Sequence, residues 1–272
     1  MQIINDQECK NFLQDLNLKT FDDILKFKND FCYKRNRYRA VYKMVCDGRR
    51  NIFLKIYDGI SLTMLLNLIF VLKRSEARKE FDNMHLLKTL GISTLTPLGY
   101  GEKKIFGLPV KSFLLTESLE KLPRLEDVAA KLWSKISFKV KYKIINNLVN
   151  IVFTLHSNNL FHKDLYLGHI LYEERKDVQD PLLYLIDLQR IKKHNIRLKR
   201  WRIKDLSSLN YSADLCGIEN KCRLRFLKSY CAKMEVSYKD YIVPIYKKTE
   251  RIKKHTMKHF LKKNIRKKQR KI

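Results

Sequence analysis

The sequence predicts a two-lobed α+β protein, with a β-rich first part joined through a connector to a mainly helical second part. Three observations carry this reading. Tyr38–Tyr57 alternates apolar and polar residues, is rich in β-branched and aromatic side chains, and is broken by "DGRR". Arg74–Gly91 has apolar residues at helical spacing. Beyond Leu125 the helical period dominates, interrupted by one short strand pair.

Each element has its own signal. Residues 1–30 place Phe12, Leu13, Leu16, Leu18, Phe21, Ile24, Leu25 and Phe27 at helix-like intervals, an amphipathic N-terminal extension. In Tyr38–Tyr57, Asp47-Gly48 supplies the positive φ of a hairpin turn, so two antiparallel strands are expected, the second bearing Lys55. Ala77, Phe81, Met84, Leu87 and Leu90 define a helix that Gly91 caps. Thr96–Leu119 gives two more strands around "EKKIFG". Leu125–Leu155 is largely helical. "ILY" and "LYLIDLQR" are short strands around a turn with Asp177, Asp180 and Pro181, and from Arg200 the helical period returns.

Composition narrows the partners. The chain has 272 residues, 57 Lys and Arg against 28 Asp and Glu, and a formal net charge of +29. Such a balance attracts polyanions: nucleic acid, anionic head groups or phosphorylated substrates. A lineage bias toward lysine, with solvated charges, is the plain alternative. Six cysteines without a CxxC pair, behind a polar start lacking a signal-peptide core, indicate reduced thiols in a cytoplasmic protein. Gly59–Leu72 is fourteen residues without a charge. As a helix it would span roughly 21 Å, short of the roughly 30 Å hydrocarbon core, so it reads as a buried helix or a shallow membrane-contacting one. Lys247–Ile272 carries thirteen Lys or Arg against one Glu, with Ile252, Met257, Phe260 and Leu261 interleaved. It is either a solvated terminus or a basic amphipathic helix for an anionic surface.

The chemistry sits between these elements. Phosphoryl transfer needs a cation on the phosphates, carboxylates for magnesium, and a base for the acceptor hydroxyl. Lys55, on the second hairpin strand in "FLKIY", suits the first demand. Glu80 on the following helix is its expected partner, preferred over Glu76 because Ala77 and Phe81 turn that face inward. Asp164 in "HKDLYLGH" is the candidate base, with His162 holding the loop. Asp187 follows 23 residues later at the end of an apolar strand. A carboxylate there costs several kcal/mol unless a cation compensates, and magnesium would do so. His169 stands where a metal-binding Asn is usual in such loops; imidazole is a poorer magnesium ligand than an amide oxygen. No GxGxxG is present, so Tyr33–Ala40 would cover the nucleotide, with Arg35 and Arg37 on its phosphates. Glu117, where the strands give way to the connector, completes the nucleotide-binding set. No GxxxxGK[ST] occurs, which argues against a P-loop enzyme.

"HKDLYLGHILY", "IDLQRIK" and "KRWRIKDLSSLNYSA" resemble the lipopolysaccharide core heptose kinases of the RfaP/WaaP type. That family carries an HRDxYxxH-like loop with His already in the metal-binding position, then IDLxR, then RWRxKDLxxLxxS. "ARKEFDNMHLLKTLGISTLTPLGYGE" is also similar, and the resemblance covers roughly Tyr33 to Ala213. It implies a bilobal protein-kinase-like fold, a small β-rich N-lobe and a larger mainly α-helical C-lobe. The expected boundaries are 1–30 extension, 31–118 N-lobe, 119–246 C-lobe and 247–272 polybasic tail.

The implied reaction is transfer of the γ-phosphate of ATP, with Mg2+, to a heptose hydroxyl of the lipopolysaccharide inner core. By position Asp164 is the base, Asp187 and His169 the metal ligands, and Lys55 with Glu80 the phosphate-holding pair. Asp205 braces the loop and Trp201 is core packing. Lys163 stands where the family usually has Arg. Partners implied are the lipopolysaccharide core or another anionic glycolipid, and an anionic membrane surface on the inner face of the inner membrane; nucleic acid is not expected. The competing readings are a kinase-fold enzyme for another small molecule or a protein, which Tyr166 in place of a Lys disfavours, a scaffolding pseudokinase, and a basic nucleic-acid-binding protein.

Overall fold

The structure, a computed structural model, describes residues 2–28, 32–36, 38–45, 51–58, 74–175 and 180–269. The chain folds as two units: Met1–Lys121 with Asp187–Gln189, and Leu122–Ile186 with Arg190–Ile272. Arg37, the "DGRR" turn, Asp177 and Gly59–Leu72 lie outside the described residues.

The first unit is built on one antiparallel sheet. Its strands are β1 (Gln2–Ile4), β2 (Cys32–Asn36), β3 (Arg39–Met44), β4 (Ile52–Asp58), β5 (Pro97–Ile105) and β6 (Leu108–Glu117), in the order β1-β5-β6-β4-β3-β2. Alternation along β4 decides what each face meets. Ile52, Leu54 and Ile56 join Tyr42, Met44, Leu98, Phe113 and Leu115 in a core that α1 (Gln7–Asp15) and α2 (Phe21–Lys26) close with Phe12, Leu13 and Ile24. Lys55 and Tyr57 point to the opposite face, where α3 (Glu76–Thr89) packs. Helix α3 starts at Ser75, whose hydroxyl accepts from Arg78 N, and ends at Gly91, where φ is +74°.

Two features differ from the sequence reading. The N-terminal residues are no appendage in this structure: β1 pairs with β5, and α1 and α2 complete the core of the first unit. Their amphipathic period is legible, but a three-residue strand carries no period of its own. The hairpin also has a third member, β2, paired with β3 through a register shift between Cys32 and Lys34.

The second unit is mainly helical: α4 (Leu125–Leu132), α5 (Phe138–Ser157), α6 (Leu198–Leu215), α7 (Asn220–Lys233) and α8 (Lys239–Gln269). Two small sheets, β7 (Leu160–Phe161) with β10 (Lys192–Lys193) and β8 (Ile170–Glu173) with β9 (Leu182–Leu185), frame the His162–His169 loop. Helix α8 runs unbroken across residue 247, so the polybasic stretch continues a helix that packs on α6. Thr249 is buried and donates to Ser207 O, and Lys253 pairs with Asp214 at 2.6 Å. Between α4, α5, α6, α7 and α8 lies a cavity of about 340 Å3, mostly apolar, lined by Leu148, Leu209, Leu227 and Ile245 among others. Among the described residues no helix is long and apolar enough to cross a membrane.

Candidate active site

The sequence-predicted residues fall into two groups, one in each unit. In the first, Lys55 Nζ donates to Glu80 Oε1 at 2.6 Å, and Glu80 is wholly buried. Glu76, the competing acid, pairs with Lys79 instead. Tyr57, two residues from Lys55 and therefore on the same face, donates to Glu80 Oε2 at 2.9 Å. Burial, then the Glu80 charge, pushes the Tyr57 hydroxyl well above the ordinary tyrosine range, so it is a donor at any working pH. Glu80 thus holds the ammonium with one oxygen and is itself held by the other.

Asp187 belongs to the same unit. It follows β9 with a backbone φ of +60°, a left-handed conformation that costs a non-glycine residue about 1–2 kcal/mol. Neighbouring bonds hold this turn: Asn83 Nδ2 donates to Leu188 O at 2.8 Å, and Arg39 Nη1 lies 3.8 Å from Asp187 Oδ1. Arg39 sits opposite Tyr57 in the β3–β4 register, its guanidinium 5.5 Å from the ring centroid. Burial opposes the Arg39 charge, but Tyr57, Glu80 and Asp187 together raise its pKa. A guanidinium therefore stands near the Asp187 carboxylate.

The other nucleotide candidates are less gathered. Glu117 ends β6 opposite Ile52, three register positions from the Leu114–Lys55 pair, roughly 10 Å along the strand. Arg35 is exposed on the edge strand β2 and makes no ion pair among the described residues. In the first unit an arginine that approaches a candidate carboxylate is Arg39, which the sequence reading missed. Strand period gives no signal for it: Arg35 lies on β2 opposite Ala40, whereas Arg39 begins β3 opposite Asn36, so the two belong to different strands and opposite faces.

In the second unit the His162–His169 loop is pinned from beneath. Asp205, fully buried on α6, accepts the backbone N–H of His162 at 2.7 Å and of Lys163 at 2.8 Å. Lys163 has φ +68°, a strained position that these two bonds hold. Behind Asp205, His156 Nε2 lies 3.5 Å from Oδ2, and its Nδ1 is 2.8 Å from Tyr230 Oη. Ser212 Oγ accepts from Leu167 N at 3.0 Å. The loop passes close to α4 at Gly168, where a Cβ would meet the Glu126 carboxylate and move that side chain aside.

Asp164, the candidate base, accepts from Arg190 Nη1 at 2.5 Å through Oδ2. His169 Nδ1 lies 2.8 Å from the Asp164 carbonyl oxygen; a carbonyl only accepts, so Nδ1 carries a proton. Trp201 is half-buried and not simple core packing. Its ring stacks on His194 at 4.1 Å and lies under Lys163 Nζ at 5.2 Å.

Among the described residues no three His, Cys, Asp or Glu side chains converge as a metal cage. Magnesium carried by a nucleotide takes one or two carboxylates and fills its shell with phosphate oxygens and water. Asp187 offers a hard oxygen donor of that kind, and His169 offers a nitrogen, the poorer partner.

Set on this fold, a strand lysine paired with a buried helix glutamate, a carboxylate at a strained turn and a braced Asp loop define a protein-kinase-like phosphotransferase. The chain belongs to the lipopolysaccharide kinase (Kdo/WaaP) family, whose model matches residues 29–230. It is 30% identical over 204 residues to the lipopolysaccharide core heptose(I) kinase WaaP of Pseudomonas aeruginosa, covering 73% of this chain and 75% of that protein. To the WaaP of Escherichia coli K12 it is 28% identical over 214 residues, 76% of this chain and 79% of that one. A solved structure, WaaP in complex with acyl carrier protein, superposes with a TM-score of 0.71 at 23% identity over 92% of this chain and 98% of the other, a likeness of fold.

Proposed function

We propose that this protein transfers the γ-phosphate of ATP to a heptose hydroxyl of the lipopolysaccharide inner core. The observation that carries the reading is Asp164, on a loop fixed by Asp205, in a member of the lipopolysaccharide kinase family. Arg190 engages Oδ2 of Asp164, leaving Oδ1 without a hydrogen bond among the described residues to take the acceptor's proton. The acceptor oxygen then attacks the γ-phosphorus, the bond to the bridging oxygen breaks, and ADP leaves. Lys55, fixed by Glu80, holds the α and β phosphates. Asp187 would hold a magnesium ion, with His169 the poorer ligand, and such an ion would supply charge neutralisation on the phosphate oxygens. Arg35, Arg37 and Glu117 stay as secondary nucleotide contacts, and Arg39 joins them as a phosphate-side cation.

The acceptor is lipid-linked, so the site of action is the cytoplasmic face of the inner membrane, with the protein peripheral to it. The fold neighbour is bound to acyl carrier protein, and the apolar cavity of about 340 Å3 in the second unit suits a hydrocarbon chain. We propose the same class of partner here; capture of acylated but not unacylated carrier would support it.

The test is transfer of labelled phosphate from ATP and magnesium to lipopolysaccharide core lacking heptose phosphate, with Asp164→Ala beside the native protein. Label on the heptose with the native protein alone is expected. No label with ATP binding intact would move the acceptor to another molecule. No label and no ATP binding would remove the kinase reading.

A further inference from the structure

Cations crowd one flank of Asp164 from four places in the second unit. Lys163 comes from the loop, Arg190 from the turn Leu188–Arg190, Lys192 from β10 and Lys204 from α6. Burial, then the charges of Lys192, Lys204 and Arg190, holds the Lys163 ammonium below the ordinary lysine range. Lys204 is pushed down likewise, by burial first and then Arg190, against the pull of Asp164 and Asp205.

Trp201 is their floor: Lys163 Nζ, Arg200 Cζ and Lys204 Nζ stand 5.2, 5.6 and 5.9 Å from its ring centroid. His194, stacked on the other part of this floor, has a buried Nε2 without a hydrogen-bond partner among the described residues.

The acids available do not balance this charge. Asp164 is taken by Arg190, and Asp205 is buried and bonded to two backbone N–H groups. Lys163, Lys192 and Lys204 form no ion pair among the described residues. A lysine-rich surface alone would leave such groups solvated and apart. Here two of them are half-buried and over one aromatic ring, an arrangement that repels itself until an anion enters. Lys55 and Arg39, in the first unit, are the cations assigned above to the nucleotide, whereas this cluster lies beside Asp164, the base assigned to the acceptor.

We propose that Lys163 and Lys204, over Trp201, together with the neighbouring Arg190 and Lys192, form an anion subsite for a carboxylate or phosphate on the acceptor saccharide, close to the hydroxyl that Asp164 deprotonates. The inference rests on the reading of Asp164 as the base. It makes the enzyme selective for acidic saccharides and places the specificity in the second unit.

The test separates the subsite from the acceptor. With ADP and magnesium filling the nucleotide site, the full chain is titrated calorimetrically with tetragalacturonate, which offers carboxylates only, and with glucose 1,6-bisphosphate, which offers phosphates only. Neither contains heptose. Lys192→Gln, at an exposed position, and Lys204→Gln are run alongside, with Lys204→Arg as the charge-keeping control. Binding of either probe that weakens at least tenfold in the Gln variants and returns in Lys204→Arg is expected, and the better probe names the anion. In the kinase assay the same Gln variants should raise KM for the acceptor about tenfold while KM for ATP stays within twofold. Failure of both probes to bind the native protein, or equal binding by the Gln variants, overturns the subsite. Lysine-dependent probe binding without phosphorylation of heptose keeps the subsite and removes the heptose acceptor.

Discussion

At the scale of single residues, Glu80 is a fully buried carboxylate with both its oxygens committed. Removing one member of a buried pair costs about 3–5 kcal/mol, since the other charge is stranded. A milder change isolates the positioning part. Tyr57→Phe deletes only the hydroxyl that steadies Oε2, a bond to a charged group that contributes about 1.5 kcal/mol. It should lower kcat/KM for ATP roughly tenfold and leave the acceptor KM unchanged. Steady-state kinetics in both substrates would show this, and unaltered ATP kinetics would remove Tyr57 from the site. Lys55 and Glu80 were legible in the sequence, one by its strand and the other by its helix face. Tyr57 and Arg39 were not singled out. Their roles arise from cross-strand register, and register is set by pairing partners far along the chain.

At the scale of elements, α6 holds the His162–His169 loop through one carboxylate. Asp205→Asn keeps the size but exchanges an acceptor oxygen for an N–H donor, so one of the two backbone bonds must be lost. Turnover should fall about a hundredfold or more while nucleotide binding persists, because a misplaced loop costs rate before it costs affinity. Single-turnover assay against nucleotide titration checks this; parallel loss of both would mean that the C-terminal helices had come apart.

The start of α7 offers a pH test of the same unit. Burial raises the Glu219 carboxyl, but hydrogen bonds from Trp133 at 2.6 Å and Lys141 at 3.1 Å outweigh it and bring it to about 2. Its folded value lies below the ordinary 4.5, so its stabilisation is complete above about pH 4.5 and is lost as pH falls toward 2. The side chain is 40% exposed, and screening reduces the effect to about 1 kcal/mol. Thermal melts between pH 5 and pH 2 should show a smaller acid loss for Glu219→Gln than for the native protein. Identical slopes would assign acid sensitivity elsewhere.

At the scale of the whole molecule, the net charge of +29 sets how the protein meets anionic surfaces. The terminal helix narrows where that contact is made. Residues up to Lys253 are tied to α6 through Thr249 and Asp214, so a deletion from 247 would damage packing as well as charge. Deleting residues 255–272 removes eight Lys or Arg and spares those contacts. Each charge near a membrane contributes about 1 kcal/mol, so vesicles rich in anionic lipid should bind the shortened chain at least tenfold more weakly, and high salt should abolish the difference. Binding unaffected by deletion and salt would place membrane contact elsewhere.

What the sequence determined by itself was whatever depends on local period or on a short run of residues. The antiparallel pair β3–β4, the helix ending at Gly91, the Asp164 loop and the Asp187 strand end all belong here. Chirality and hydrogen bonding fix those patterns within a few residues, and the family motifs are equally local. Only the tertiary structure decided that Arg39 faces Asp187, that residues 2–28 complete a core, and that Trp201 gathers lysines from the Asp164 loop and from α6. Each of these joins side chains through space across many residues of chain. Their proximity follows from sheet register and helix packing, whose energies are summed over the whole unit.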